Sequence, residues 1–284
     1  MDDKFYTIKN LEFEYNYKPV DSVKNKNLVI VYCVWGCKEY VDFLYISLIS
    51  QFKYTDANNF DIIIYYQKEI EEHINKIRNI FTNIQFILVD NCLKYHITIF
   101  EEIKNYKYLV ICDTDLFFYG IKTNYYQQIL DKKYLVGLIQ EPVIAENTFI
   151  NRQVLCPIKD VNEYKTKVAF ILGIKTDTLN YILKNNTWYL SCLTILNTDL
   201  FDYSWKSHIK NFMKIKTSCD ETVFLTYIWK HKYLITNIEN VYLGESCNKH
   251  FNAKNFCLLH PACGNNRFNL NCQNLYRKIL SCED

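Results

Sequence analysis

The sequence predicts an α/β fold, a single domain with a mostly parallel central sheet flanked by helices. Three observations carry this. Continuous apolar, β-branched runs recur between residues 27 and 112, as expected for strands buried on both faces. Segments with apolar residues at helical spacing separate them, and strands alternating with helices form parallel sheets through right-handed crossovers. The 284 residues include only six glycines and four prolines, so long flexible linkers are not expected.

Residues 1–25 are polar and aromatic without a clear period, an arm or a short leading strand. Residues 27–34 (NLVIVYCV) predict the first strand, Trp35-Gly36 a turn, and residues 38–52 a helix with Val41, Leu44, Tyr45, Leu48, Ile49 and Phe52 on one stripe. Residues 60–66 (FDIIIYY) predict a second strand, and residues 68–81 a helix carrying Ile70, Ile74, Ile77 and Phe81. A third strand is expected over 84–89, helical spacing over 97–103, and a fourth strand over 108–112 (YLVIC). Beyond Asp115 the pattern is mixed. Short strands are expected over 135–139, 168–172 and 189–196, with an irregular polar loop over the site at 140–165. A helix follows over 222–230, then short strands at 234–236 and 241–243. Residues 256–259 lead into His260-Pro261, and a helix over 270–280 closes the chain.

Hydrophobic residues make up 49% of the chain, enough for a sizeable core, and the net charge is +2. A nucleic-acid binder usually shows a basic patch, so no nucleic-acid partner is expected. The charged start, Met1-Asp2-Asp3-Lys4, precedes no apolar signal region. The apolar stretch 41–52 is broken by Asp42 and is shorter than the roughly 20 residues a membrane span needs. A soluble, cytoplasmic protein is the expectation. None of the twelve cysteines forms a C-x-x-C pair, and several sit in apolar runs, so mostly reduced thiols are expected. Disulfides among the C-terminal cysteines are the alternative.

Asp113 and Asp115 directly follow the fourth strand, and Leu116-Phe117-Phe118 follows them. Ligands of open α/β sheets bind beyond the carboxyl ends of the strands. In a regular strand, carboxylates two residues apart face opposite sides. At a strand end that turns, one can ligate a divalent cation directly while the other reaches the cation or a ribose, and oxygen ligands suit Mg²⁺ or Mn²⁺. The plainer reading is two loop aspartates that cap a turn or helix.

The run YLVICDTDLFF resembles the strand and Asp-x-Asp motif of GT-A glycosyltransferases. The order of segments is most similar to family 8, the glycogenin and lipopolysaccharide galactosyltransferase group, over residues 27–267 with gaps. The resemblance implies one GT-A domain over 1–284. Within it, 27–120 would be the nucleotide-binding half, 121–267 the acceptor and catalytic half, and 268–284 a C-terminal helix. Tyr40 matches a Tyr that stacks on uracil, though it also suits the start of the helix as a core residue. Asp113 and Asp115 match the metal- and donor-binding pair. Residues 189–197 (YLSCLTILN) are similar to a family strand in which Ser191 and Asn197 match. There Leu190 replaces a donor-contacting Asn, and Cys192 replaces a Gly. Asp220 and Glu221 stand where the family has Asp-Gln beside the reacting sugar, and equally suit a helix start. The resemblance makes His260 the third metal ligand, Gly264 the point of close approach to phosphate, and Arg267 its ion-pairing partner. The His-to-Gly spacing is one residue longer than in the family. Lys94 and His96 fit either diphosphate contacts or solvated surface.

The activity so implied is transfer of a hexose from a UDP-sugar to the hydroxyl of a glycan, protein or lipid acceptor, dependent on Mn²⁺ or Mg²⁺ and retaining. The alternatives are an inverting GT-A enzyme, a sugar nucleotidyltransferase, and a non-catalytic sugar-nucleotide-binding module. A nucleotidyltransferase would show a Gly-rich basic loop after the first strand, where this chain has VWGCK.

Overall fold

The computed structural model describes residues 23–90, 99, 103, 105–153, 160–200, 203–213, 220–243, 247, 255–261 and 276–280. The main sheet is built from β1 (Asn25–Val34), β2 (Phe60–Tyr66), β3 (Gln85–Leu88), β4 (Tyr108–Cys112), β6 (Val136–Ile144), β7 (Thr187–Asn197) and β8 (Ile235–Asn237). Its strand order is β3-β2-β1-β4-β7-β6-β8. Only β7 breaks the parallel arrangement, running antiparallel to both β4 and β6. A second sheet joins β5 (Phe117–Tyr119), β10 (Cys257–His260) and β9 (Val241–Leu243) in the order β5-β10-β9.

Alternation along β1 explains the two faces. Leu28, Ile30, Tyr32 and Val34 belong to one buried cluster, which also holds α1 (Lys38–Tyr54), α2 (Glu71–Ile80), α3 (Tyr125–Lys132) and the small sheet. Val29, Val31 and Cys33 belong to the other. That cluster is covered by α4 (Ala145–Gln153), α5 (Val161–Leu172), α6 (Thr176–Asn185), α7 (Tyr203–Met213) and α8 (Asp220–His231). Strands buried on both faces account for the continuous apolar runs.

The strands and helices expected up to Cys112 are present, with ends shifted by at most three residues, except the helical segment at 97–103, most of which lies outside the described residues. Two expectations are corrected. Residues 168–172 are the end of α5 and not a strand. Tyr164, Lys165, Val168, Ala169 and Leu172 are buried at helical spacing, while Phe170 is 84% exposed. The Asp160 side chain caps this helix by accepting from the Asn162 N–H at 2.8 Å, and Gly173 ends it in the left-handed conformation (φ 67°). The described residues of 140–165 are likewise not an irregular loop. β6 runs to Ile144, α4 follows at once, and the Lys165 ammonium pairs with Glu146 at 2.9 Å to tie α5 to α4. Helices α3, α6 and α7 and strand β5 are additional to the elements the sequence predicts. Of the expected C-terminal helix, residues 276–280 are helical and the rest lies outside the described residues.

His208 on α7 is buried among Trp205, Phe212 and Tyr227, and its Nε2 lies 3.1 Å from the Val223 carbonyl of α8. Burial lowers its pKa from 6.5 to about 4. Between those values the unfolded chain binds the proton and the folded chain does not. Stability is therefore full above pH 6.5 and falls as pH drops toward 4. Urea unfolding should show a loss of about 2 kcal/mol from this residue between pH 7 and pH 5. His208→Gln should remove that part of the pH dependence. An unchanged slope in the variant would refute the assignment.

Candidate active site

The site forms where the chain leaves the main sheet for the small one. β4 ends at Cys112, and the Asp113 N–H donates to the Cys192 carbonyl of β7 at 2.9 Å. The Leu116 N–H then donates to the Asp113 carbonyl at 3.2 Å, closing a turn over 113–116. This turn defeats strand alternation and swings both carboxylates to one side. Buried hydroxyls of α1 hold its exit. Ser47 Oγ donates to the Leu116 carbonyl at 2.6 Å, and the Phe118 N–H donates to Ser50 Oγ at 3.0 Å.

β5 then pairs antiparallel with β10, setting Phe117 opposite Leu259 and Phe118 opposite Leu258. This register carries His260 to the aspartates, 145 residues away in sequence from Asp115. His260 Nε2 lies 3.3 Å from Asp115 Oδ1 and 3.5 Å from Asp113 Oδ2. One ligand atom from each of the three residues fits within a mutual distance of 4.8 Å. Despite these short distances, buried His260 Nε2 makes no well-aligned hydrogen bond among the described residues. Its nitrogen and the carboxylate oxygens thus sit close together without the alignment of a hydrogen bond. That arrangement, two oxygen donors and one imidazole nitrogen, fits a divalent cation such as Mn²⁺ or Mg²⁺. Burial alone would lower the His260 pKa, but the adjacent carboxylates of Asp115 and Asp113 outweigh it and hold it well above the ordinary value. A bound metal would need the neutral ring, so the cation would take the place of that proton.

A cavity of about 170 Å³ opens beside the two aspartates, lined by Cys33, Val34, Trp35, Tyr40, Asp113, Thr114 and Asp115. The turn between β1 and α1 shapes it. Gly36 takes φ 93°, and Tyr40 follows in the first turn of α1. Tyr40 and Trp35 thus put two aromatic side chains on the same cavity as the acids. Tyr40 is expected here from the sequence, whereas Trp35 is expected only as part of a turn. An aromatic residue just past the carboxyl end of a buried strand was the available signal.

Glu221 stands in the first turn of α8, is 6% exposed, and bridges that helix to β7. Trp188 Nε1 donates to its carboxylate at 3.1 Å, and the Ser191 N–H approaches the other oxygen at 3.4 Å. Cys192 connects this pair to the metal-binding trio. Burial first, and then the negative charges of Asp113 and Glu221, push its thiol pKa up, while neighbouring His260 pulls it down. Asp220 opens α8 as expected, but its side chain lies outside the described residues. Gly264, Arg267, Lys94 and His96 also lie outside them. Asn197 is not brought to the site. It pairs with Tyr108 at the opposite end of β4.

No family model and no curated protein matches this chain. Solved structures do. The galactosyltransferase LgtC, determined with donor and acceptor sugar analogs, superposes with a TM-score of 0.53 at 10% identity, over 89% of this chain and 95% of that one. The glycosyltransferase GlyE of Streptococcus pneumoniae superposes with a TM-score of 0.52 at 10% identity. That match takes in 93% of this chain and 61% of GlyE. At such identities the likeness defines the fold, and the fold is GT-A: a central, mostly parallel sheet flanked by helices.

Proposed function

We propose that this chain is a metal-dependent glycosyltransferase that moves a hexose from a UDP-sugar to an acceptor hydroxyl on a glycan, protein or lipid, with retention at the anomeric carbon. The observation that carries this is the convergence of Asp113, Asp115 and His260 at the mouth of the aromatic cavity. These three residues would hold Mn²⁺ or Mg²⁺, which when bound stabilises the negative charge that develops on the departing diphosphate. Tyr40 stacks on the base, with Trp35 beside it. Gly264 allows the chain to approach phosphate, and Arg267 pairs with it. Asp220 and Glu221 work on the sugar, stabilising positive charge at the anomeric carbon. No described helix is long and apolar enough to cross a membrane. By the same reading the enzyme works in the cytoplasm.

The test combines thermal unfolding with turnover. The protein is heated with Mn²⁺ and, in turn, UDP-glucose, UDP-galactose and a GDP-sugar, and UDP release is then followed. A ligand at 100 times its Kd raises stability by about 2.7 kcal/mol. A shift and slow UDP release are expected only with UDP species. An α-linked product from an α-linked donor, read by NMR, supports retention, and an inverted product overturns it. Tyr40→Ala should raise KM for the donor by roughly tenfold with kcat little changed, since one base–aromatic contact is worth about 1–3 kcal/mol. An unchanged KM would remove Tyr40 from the donor site.

The buried bridge from Glu221 to Trp188 and Ser191 favours a second reading, in which Glu221 is architectural and the chain is a non-catalytic sugar-nucleotide-binding module. A UDP-dependent thermal shift without any UDP release selects that reading.

A further inference from the structure

A second cleft, of about 290 Å³, shares no lining residue with the aspartate cavity. α3 forms one wall, the segment between β8 and β9 another, and Phe256 a third. Phe256 stands just before β10, whereas His260 ends that strand. Four residues of extended chain, about 13 Å, therefore separate the cleft from the metal-binding trio.

Its lining has a definite chemistry. One side is aromatic. The rings of Tyr125 and Phe256 lie 5.4 Å apart at 36°, with Tyr134 on the same cleft. The remainder is mostly hydroxyl and amide. Among the described residues, buried Thr123 Oγ1 has no hydrogen-bond partner, and the main chain there is fixed by the Thr123 N–H donating to the Tyr54 carbonyl at 3.0 Å. Asn240, in the left-handed conformation (φ 59°), sets the rim, and its carbonyl accepts from the Leu258 N–H of β10 at 2.9 Å. Among the described residues, Lys132 and Glu239 are the charged members of the lining, and they cancel in sign.

We propose that this cleft binds a neutral saccharide unit. A pyranose ring offers C–H groups on its faces, which pack on aromatic rings, and hydroxyls on its edge, each both donor and acceptor. The aromatic wall meets the first need. The amides of Gln128 and Asn240 meet the second. Balanced charge selects against phosphorylated or acidic sugars. The volume suits one or two rings, at the small end of ligand pockets. The site goes beyond the proposed transfer reaction and does not depend on it. In a transferase, it would grip a glycan away from the reacting end.

The test is saturation-transfer NMR on the full chain, without metal or nucleotide, using lactose, maltose and cellobiose at roughly 10 mM, since a single small ring binds at about millimolar strength. Transfer to at least one disaccharide is expected, and it should persist in Asp115→Asn. Gln128→Trp places a bulky ring in the cleft from an exposed position, and Tyr134→Ala removes part of the aromatic wall. Each should cut the signal about fivefold or more, the worth of one aromatic contact. No transfer to any of the three sugars overturns the proposal. So does transfer that survives both cleft variants, or transfer that is lost in Asp115→Asn.

Discussion

Asp115→Asn should lower kcat/KM for UDP-sugar turnover by about 10³-fold or more, with the fold unchanged. The substitution keeps the shape of the side chain and removes its charge. Asp115 is the deeper of the two acids, its side chain 5% exposed against 39% for Asp113, and it lies nearer to His260. A cation at this site is therefore shielded from solvent on the Asp115 side, where charge counts most. A factor of 10³ corresponds to about 4 kcal/mol, within the several kcal/mol that a metal ion contributes by stabilising transition-state charge. Asp113→Asn should cost less, roughly 10- to 100-fold, because water can replace its more exposed carboxylate. The Mn²⁺-dependent rise in Tm should vanish in Asp115→Asn, while circular dichroism stays unchanged. Activity within tenfold of the unsubstituted protein would remove Asp115 from the metal shell, and the proposed function with it.

The parts of this site that were legible in the sequence are those set by local pattern. β1, β2 and β4 are continuous apolar runs because helices cover both faces, and their carboxyl ends mark where a ligand binds. Asp113 and Asp115 follow from that directly. α5 was misread because a five-residue window, Val168 to Leu172, looks the same in a buried strand and in a helix. The discriminating signals lay outside that window: Tyr164 and Lys165 one turn earlier, the Asp160 cap, and Gly173 at the end. Trp188 could be read as a strand residue but not as a donor to Glu221, since that contact joins β7 to α8 across 33 residues. The place of His260 is likewise non-local. The sequence supplies a histidine after an apolar run. Only the antiparallel register of β10 on β5 puts it beside Asp115 and Asp113. The resemblance to family 8 supplied that pairing in advance, and periodicity could not have done so.

That register makes Gly120 the residue on which the histidine half of the site depends, and Gly120→Ala should lower stability by about 4 kcal/mol. Gly120 follows β5 directly, at φ 108°, a conformation that residues with a Cβ rarely adopt. An added Cβ would lie 2.2 Å from the Asn255 carbonyl oxygen and 2.7 Å from its carbon. Both are main-chain atoms, so no side-chain rotation can relieve the contact. Backbone strain of about 1–3 kcal/mol and overpacking of about 1–3 kcal/mol act together here. For a chain of this length the sum should lower Tm by about 10 °C. The clash falls at the end where β10 enters the small sheet, two residues before Cys257 pairs with Tyr119. Relief therefore requires β10 to move away from β5, and His260 moves with it. At 10 °C, where the variant stays folded, Mn²⁺ affinity should still fall by roughly tenfold or more, as expected for a ligand shifted by loss of its support. Lower stability with unchanged Mn²⁺ affinity would show that the β5–β10 register does not set the position of His260. An unchanged Tm would show that Gly120 and Asn255 do not meet as closely as the structure places them.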